Sequence, residues 1–600
     1  MRQVIGAGEV DISPEESLTA SLWRSAREQP ERPAVAFRSA DRFIEWTTHR
    51  FVEEVRAVAR GLLGLGIEAG QCVCIYSATR LEWTVLDYAI WSIGGVAVPI
   101  YETSAPAQIE WIVADAEAVA IVVENDHLLG EYETVADRLP GCEHVFVFEH
   151  AGLEQIKGAG REVTDEALQR RADAVTGADI ATIVYTSGTT GRPKGCVLTH
   201  GNLVFNAAAT EVALPQLLGP SKTTLLFLPL AHVFSRMIAV VCIRTGVLLA
   251  FSTGIPHLQE ELAMVRPSFL FAVPRVFEKI IGGAQTKAHD AGRGRIFDRA
   301  IEVAERSSRE RTIGSVRITT RLQHRIFDRL VYRKLRDALG GRVEYAISGG
   351  AALGEHLGHL FAGLGITILE GYGLTETTAP AVGNRPDALR HGTVGRPMPG
   401  VSIRLVADGE IQIKGANVFA GYLGNEEATR EVLDADGWLR TGDLGVLDEA
   451  GFLRITGRKK EIIVTAGGKN VSPNALEDQL RVHPLVSQAV VVGDGQPFIG
   501  ALLTVDGDEV ARWADRAGKS ASTVGQLAQD PDLFRELQGA VDVANAAVSK
   551  AERIREFRVI PGELTIEEGE LTPTMKVKRD VVGTRYRYLV EDIYDRTHSG

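Results

Sequence analysis

A chain of 600 residues exceeds what one ordinary hydrophobic core organises, so several structural units are expected. With 45% apolar and 24% charged residues it has a soluble globular balance, and its formal charge of -13 offers nucleic acid no overall basic footprint. Five scattered cysteines argue against a disulfide scaffold, and the Cys72-x-Cys74 pair without a second pair makes no metal site. The start lacks the apolar core of a signal peptide, and the most apolar stretch, 237–251, is interrupted by Arg244 and too short to span a bilayer. A cytoplasmic location is expected on those grounds.

In chain order, a helix over 14–29 leads to a strand at 34–37. The helix from Thr48 to about Leu65 sets Phe51, Val55, Val58 and Leu62 on one stripe. Strands follow at 72–76, 97–100, 119–123 and 145–148, with helices between them. The alternation continues through strands at 224–228, 246–251, 269–273, 343–348 and 367–370. Solid apolar strands alternating with helices predict an α/β class: a large N-terminal region of mostly parallel sheets covered by helices. From about residue 400, short alternating strands and turns predict a small antiparallel subdomain. A charged run at 456–461 opens a mobile α+β C-terminal domain with strands at 489–492 and 557–560, helices near 507–516 and 531–551, and a basic segment from Lys576 to Arg587. The boundaries expected are 1–457, including a basic helical insertion at about 278–340 and the subdomain at about 400–457, and 458–600.

Three loops carry chemistry. Residues 185–195, Tyr-Thr-Ser-Gly-Thr-Thr-Gly-Arg-Pro-Lys-Gly, follow an apolar strand and combine backbone donors, hydroxyls and a lysine, a pattern suited to phosphate. It is a near miss to the Walker loop. With Gly188 as first glycine, Pro193 stands where the second belongs and Gly195 replaces the magnesium-binding hydroxyl, so any metal must be held elsewhere. At 370–377, Glu-Gly-Tyr-Gly-Leu-Thr-Glu-Thr lies at a strand's carboxyl end. There Tyr372 can stack a purine, Thr375 can bond a phosphate and Glu376 can ligate Mg²⁺. In Thr441-Gly442-Asp443-Leu444-Gly445 a carboxylate between glycines suits two ribose hydroxyls, and a capped turn explains it almost as well.

Together with Leu228-Pro229-Leu230-Ala231-His232-Val233-Phe234, Ser348-Gly349-Gly350-Ala351, Gly421-Tyr422-Leu423-Gly424, Gly457-Arg458-Lys459-Lys460-Glu461 and Leu571-Thr572-Pro573-Thr574-Met575-Lys576, these loops resemble the adenylate-forming superfamily over about residues 16–590. Within it the chain is most similar to bacterial long-chain fatty-acid–CoA ligases. The resemblance implies that Thr186, Ser187, Gly188, Thr189, Thr190, Gly191 and Lys194 grip the β- and γ-phosphates of ATP. It places adenine against Gly349, Gly350, Ala351, Tyr372 and Gly373, and the ribose on Asp443 and Arg458. It makes Thr375 an α-phosphate contact, Glu376 the Mg²⁺ ligand, Lys576 the catalytic lysine and Lys460 the hinge. Gly467 and Gly468 would approach the pantetheine arm of CoA. His232 would sit beside the acyl site, although a histidine among apolar residues is often only a packed core residue. Cys196, next to Val197 and Leu198, reads as packing.

The implied function is ATP-dependent ligation of a long-chain fatty acid to CoA through an acyl-adenylate, with Lys576 brought to the phosphates by domain closure. Its alternatives are an acyl-AMP ligase serving a carrier-protein thiol, luciferase chemistry on the same motifs, and a non-catalytic scaffold. The presence of Lys194, Glu376, Asp443, Arg458 and Lys576 speaks against the scaffold. The basic insertion reads first as a solvated helix face; it could instead meet an acidic partner or anionic lipid and bring the enzyme to the inner face of a membrane that holds the acid.

Overall fold

Cys72-Val73-Cys74-Ile75-Tyr76 is buried at every position and lies within a seven-stranded sheet of the computed structural model, which describes residues 2–186, 192–519, 524–566, 568–572 and 575–595. The spatial order is Gly421–Tyr422, Lys194–Thr199, Ile180–Thr186, Val96–Ile100, Cys72–Tyr76, Ala120–Val123 and His144–Val147. From Ile180–Thr186 onward the pairs are parallel, and the two strands at the opposite margin are antiparallel. Helices cover the apolar runs. Thr48–Gly64 buries the predicted stripe of Phe51, Val55, Val58 and Leu62, and Leu81–Ser92 is buried at every position but Glu82.

Two further sheets repeat the plan. Thr223–Leu226, Leu248–Phe251 and Pro33–Ser39 run parallel, with Arg42–Thr47 folded back as an antiparallel margin. Phe269–Ala272, Tyr345–Ser348 and Thr367–Leu374 run parallel, and Ala379–Gly383 and Arg396–Pro397 extend the sheet antiparallel. The fold is the expected α/β class, with parallel centres and antiparallel margins. Margins such as Lys194–Thr199, Arg42–Thr47 and Ala379–Gly383 follow their neighbours through short connections, which can add a strand only in the reverse direction, whereas Gly421–Tyr422 reaches its margin from a distant part of the chain.

The chain divides into two compact units. The larger comprises 1–405, 412–441 and 447–453; the smaller comprises 406–411, 442–446 and 454–600. The larger unit includes the helices Pro274–Asp290, Gly294–Thr312, Ile318–Phe327 and Arg333–Ala338, the last two joined by a wide π turn at Asp328–Tyr332. No helix of the described residues is long and apolar enough to cross a membrane.

In the smaller unit, Val486–Val492, Ile499–Val505 and Ile554–Val559 form one sheet, packed with the helices Pro473–Leu480, Gly507–Arg516 and Pro531–Ala546. The strand Ile499–Val505 was not expected, although all seven residues are buried. The basic segment at 576–587 is also more structured than its charge suggests. Arg579–Arg585 and Arg587–Asp595 are helices, and Arg579 pairs with the buried Glu477 while Arg585 meets Glu568 at 2.7 Å.

Candidate active site

The strands flanking the glycine-rich loop pair antiparallel, with Thr186 opposite Lys194. Ser187, Gly188, Thr189, Thr190 and Gly191 lie outside the described residues. The far end of the loop is anchored on the helix Pro106–Asp115. Trp111 Nε1 donates to the Pro193 carbonyl at 2.9 Å, and the Arg192 guanidinium lies 4.6 Å over the same indole. Gly195 has a packing reason to lack a side chain: a Cβ there would fall 2.7 Å from Ile183 Cγ2 and 3.2 Å from the Tyr185 ring. A Walker-type hydroxyl residue would not fit the strand pair.

The strand after the loop then pairs with a segment more than two hundred residues away. Tyr422 sits opposite Cys196, Gly421 opposite Val197, and Leu423 N–H donates to the Gly195 carbonyl at 2.8 Å. This register brings the Tyr422 ring under Lys194, whose Nζ lies 5.1 Å from the ring centroid. The Tyr422 hydroxyl donates to Glu376 Oε1 at 2.8 Å. Burial, then the Glu376 charge, drives the phenol's pKa far above its ordinary value, so Tyr422 stays a proton donor. The motif Gly421-Tyr422-Leu423-Gly424 carries part of the family resemblance, but nothing local in it assigns this tyrosine a place beside Lys194 and Glu376. Cys196 is fully buried, and burial, reinforced by Glu376, raises its thiol well above the usual range, which fits packing rather than a nucleophile.

Thr375 and Glu376 occupy a single 3₁₀ turn, Thr375–Thr377, followed by two residues in the left-handed region, Thr378 at φ 55° and Ala379 at φ 73°. Such backbone costs free energy unless its surroundings hold it. Asn206, buried in the helix His200–Ala213, donates to the carbonyls of Thr377 at 3.2 Å, Thr378 at 2.7 Å and Pro380 at 3.2 Å. Asn417 donates to the Thr377 carbonyl at 3.1 Å, and its own carbonyl accepts from the Thr378 hydroxyl at 2.8 Å. Gly373 makes room for the fold-back, since a Cβ there would collide with the Ala379 carbonyl oxygen.

Parallel register assembles the second group. Ser348 pairs with Glu370, so Gly349–Ala351 leave their strand beside the point where Tyr372 and Gly373 carry the neighbouring strand beyond the parallel pairing, at the natural ligand edge of such sheets. Glu370 Oε1 ties them by accepting the Leu353 N–H at 3.0 Å. His232 is half-buried and caps the helix Val233–Thr245, its Nδ1 accepting the Phe234 N–H at 3.1 Å. It thereby has a structural duty of its own. The Phe234 ring lies 3.5 Å from where a Cβ of Gly349 would stand.

In the smaller unit, Asp443 is 3% exposed and pairs with Arg458, Nε to Oδ1 3.0 Å. Lys576 belongs to the same cluster. Desolvation, then the Arg458 charge, holds its ammonium below the ordinary lysine pKa, while Asp443 and Glu461 pull the other way. Lys576 as a residue nonetheless keeps contact with solvent. Lys460 is exposed in the short turn Lys459–Glu461. Gly467 and Gly468 are exposed in the turn between Ile463–Val464 and Asn470–Val471, which is closed by Gly468 N–H to the Thr465 carbonyl at 2.8 Å. Thus the larger unit gathers Lys194, Glu376 and Thr375 with the glycine loops, and the smaller gathers Asp443, Arg458 and Lys576.

Glu376 fits a divalent cation of the hard, oxygen-preferring kind. One of its oxygens takes a single hydrogen bond, and a carboxylate has further lone pairs to give. Mg²⁺ commonly needs only one or two protein carboxylates when phosphates and water complete its shell.

The pattern of the AMP-binding enzyme family matches residues 22–423, and that of the AMP-binding enzyme C-terminal domain matches 460–598. The long-chain-fatty-acid–CoA ligase FadD15 of Mycobacterium bovis is 46% identical over 600 residues, covering 99% of this chain and 100% of the relative. Among solved structures, the anthranilate CoA ligase AuaEII in complex with anthranoyl-AMP superposes with a TM-score of 0.73 at 20% identity, covering 96% of this chain and 98% of that one. ATP-bound MatB from Rhodopseudomonas palustris superposes with a TM-score of 0.71 at 22% identity, covering 96% and 99%. At those identities the two structures speak for the fold.

Proposed function

The chain belongs to the AMP-binding, adenylate-forming enzyme family, and on that premise we propose that it ligates long-chain fatty acids to CoA at the expense of ATP. The observation that carries this reading is the seating of Lys194, Tyr422 and Glu376 together at the end of the phosphate loop. A cation for the phosphates and a carboxylate for a metal are what a triphosphate substrate asks of a protein. The long-chain acid is taken from the likeness to the mycobacterial ligase.

In this reading a carboxylate oxygen of the acid attacks the α-phosphorus. The bond to the bridging pyrophosphate oxygen breaks, giving acyl-adenylate and pyrophosphate. The CoA sulfur, as thiolate, then attacks the acyl carbon, and AMP departs with the electrons of the carbon–oxygen bond. Thr186 to Lys194 hold the β- and γ-phosphates, Thr375 the α-phosphate, and Gly349–Ala351 with Tyr372 and Gly373 the adenine. Asp443 and Arg458 hold the ribose, and Lys576 offsets charge developing at the α-phosphate. Glu376 would hold Mg²⁺, which supplies charge screening to the triphosphate. Residues 1–457 and 458–600 act as the two functional domains, with Lys460 at the hinge and Gly467 and Gly468 toward the CoA arm. His232 borders the acyl chain. The enzyme works in the cytoplasm, with peripheral membrane contact through the 278–340 insertion.

The test is CoA-thioester formation by purified protein across saturated acids of two to twenty carbons. A maximum at long chains supports the reading; a maximum at short or aromatic acids removes the substrate assignment and leaves the adenylate chemistry.

A further inference from the structure

The helix Ile318–Phe327 and its continuation to Lys334 carry two parallel rows on their outer face. Ile318, Leu322, Ile326 and Leu330 form one row at four-residue spacing, and they are 83%, 60%, 50% and 52% exposed. Arg317, Arg321, Arg325, Arg329 and Arg333 form the neighbouring row, all exposed. Residues at i and i+4 share a helix face but drift slowly around a straight α-helix. The π turn at Asp328–Tyr332 is wider and runs that drift back, so the apolar row keeps its line into the turn as far as Leu330 and the arginine row passes through it to Arg333.

The opposite face is firmly held. Thr320 is buried, His324 Nε2 meets the Gly363 carbonyl at 2.7 Å, and the buried Tyr332 donates to the Ala300 carbonyl at 2.7 Å. The outward apolar row is therefore a fixed feature rather than a frayed end. Four aliphatic side chains aligned in water on a well-packed helix call for a partner. Among the described residues Arg321, Arg325, Arg329 and Arg333 form no ion pair, and residues 317–334 hold six cations against the single carboxylate of Asp328. This face is strongly basic on a chain whose net charge is -13.

We propose that this face docks on an anionic lipid bilayer, the isoleucine and leucine row entering the boundary between headgroups and acyl chains and the arginine row meeting lipid phosphates. An apolar row edged by arginines is the arrangement of helices that lie in a membrane interface. The proposal deepens the membrane contact included in the functional reading by naming the surface and the charge of the lipid.

Full-length protein is sedimented with vesicles of phosphatidylcholine alone or with one part in three phosphatidylglycerol. The wild type binds the anionic vesicles preferentially, and added salt weakens binding. Arg321→Glu/Arg325→Glu and, separately, Ile318→Ser/Leu322→Ser/Ile326→Ser each lower binding by at least about tenfold. These side chains point into solvent, so folding is unaffected, and ligation of detergent-dispersed acid by each variant matches the wild type. Failure to bind either vesicle, equal binding to both, or full binding by either variant overturns the proposal. Loss of ligation in the wild type would instead fall on the catalytic reading and leave vesicle binding as the judge of this surface.

Discussion

The Tyr422 hydroxyl donates to Glu376 Oε1 at 2.8 Å while the Lys194 ammonium stands 5.1 Å above the same ring. One aromatic residue thus stands between Lys194 and Glu376, the phosphate cation and the metal ligand of the proposed function, and contacts both. Outer partners of this kind tune metal ligands nearly as strongly as the ligands do. Tyr422→Phe keeps the ring under Lys194 and removes only the hydrogen bond. It should raise the Mg²⁺ concentration for half-maximal adenylation about tenfold, with a smaller change in the KM for the acid. An unchanged Mg²⁺ titration would remove this role.

Lys576 sits in a cluster with Arg458, Asp443 and Glu461. Lys576→Ala should slow acyl-adenylate formation about 10²–10³-fold while ATP binding, followed by calorimetry, changes far less. The pH dependence has a definite sign. A lysine whose pKa is lowered loses its charge earlier as pH rises, so the alkaline fall in kcat begins below the ordinary lysine value. Arg458→Leu removes the second contribution to that lowering and should move the alkaline fall to higher pH. An alkaline limb indifferent to Arg458 would contradict the coupling.

Asn206 holds three carbonyls of the strained turn that presents Thr375 and Glu376. Asn206→Ala leaves buried acceptors without a donor and should cost about 1–3 kcal/mol in urea unfolding. The lower end is expected, because Asn206 Oδ1 is itself buried without a partner among the described residues and its removal relieves that cost. Ala379→Gly, at φ 73°, should be neutral or stabilising. If Asn206→Ala unfolds like the wild type, the turn is held by other contacts.

His200 is fully buried, accepts the Leu18 N–H at its Nδ1, and is held at a pKa of about 4 by burial, with Asp179 opposing. Between about pH 4 and 6.5 the unfolded chain therefore takes a proton that the folded chain refuses. Stability should rise with pH through that window and be lost as pH falls through it, by on the order of 3 kcal/mol from this residue. His200→Asn preserves an acceptor and removes the titration, so its urea midpoint should vary less between pH 7 and 5. Parallel pH profiles for the two proteins would refute the assignment.

Much of the fold was legible because its signals are local. The five-residue strand Cys72–Tyr76 and the stripe of Phe51, Val55, Val58 and Leu62 need only periodicity and burial to be read. The strand Ile499–Val505 was missed because Gly500 interrupts its apolar run. That glycine is required by distant packing, since a Cβ there would lie 3.0 Å from Ile593 Cγ2 in the last helix. The site divides the same way. Glu376 and Lys194 stand in loops whose residue types advertise their chemistry, whereas Tyr422 and Asn206 earn their positions through register with Cys196 and through packing beneath Thr377–Pro380. Gly195 shows the limit from the other side: the sequence reveals that a Walker hydroxyl is missing, and only Ile183 explains why.

The most direct test of the central claim combines purified protein, palmitate, ATP, Mg²⁺ and CoA, and follows all products. The account predicts palmitoyl-CoA, AMP and pyrophosphate in equal amounts, with palmitoyl-AMP accumulating when CoA is withheld. Accumulation of palmitoyl-AMP with CoA present and unconsumed, or release of ADP in place of AMP, would contradict it.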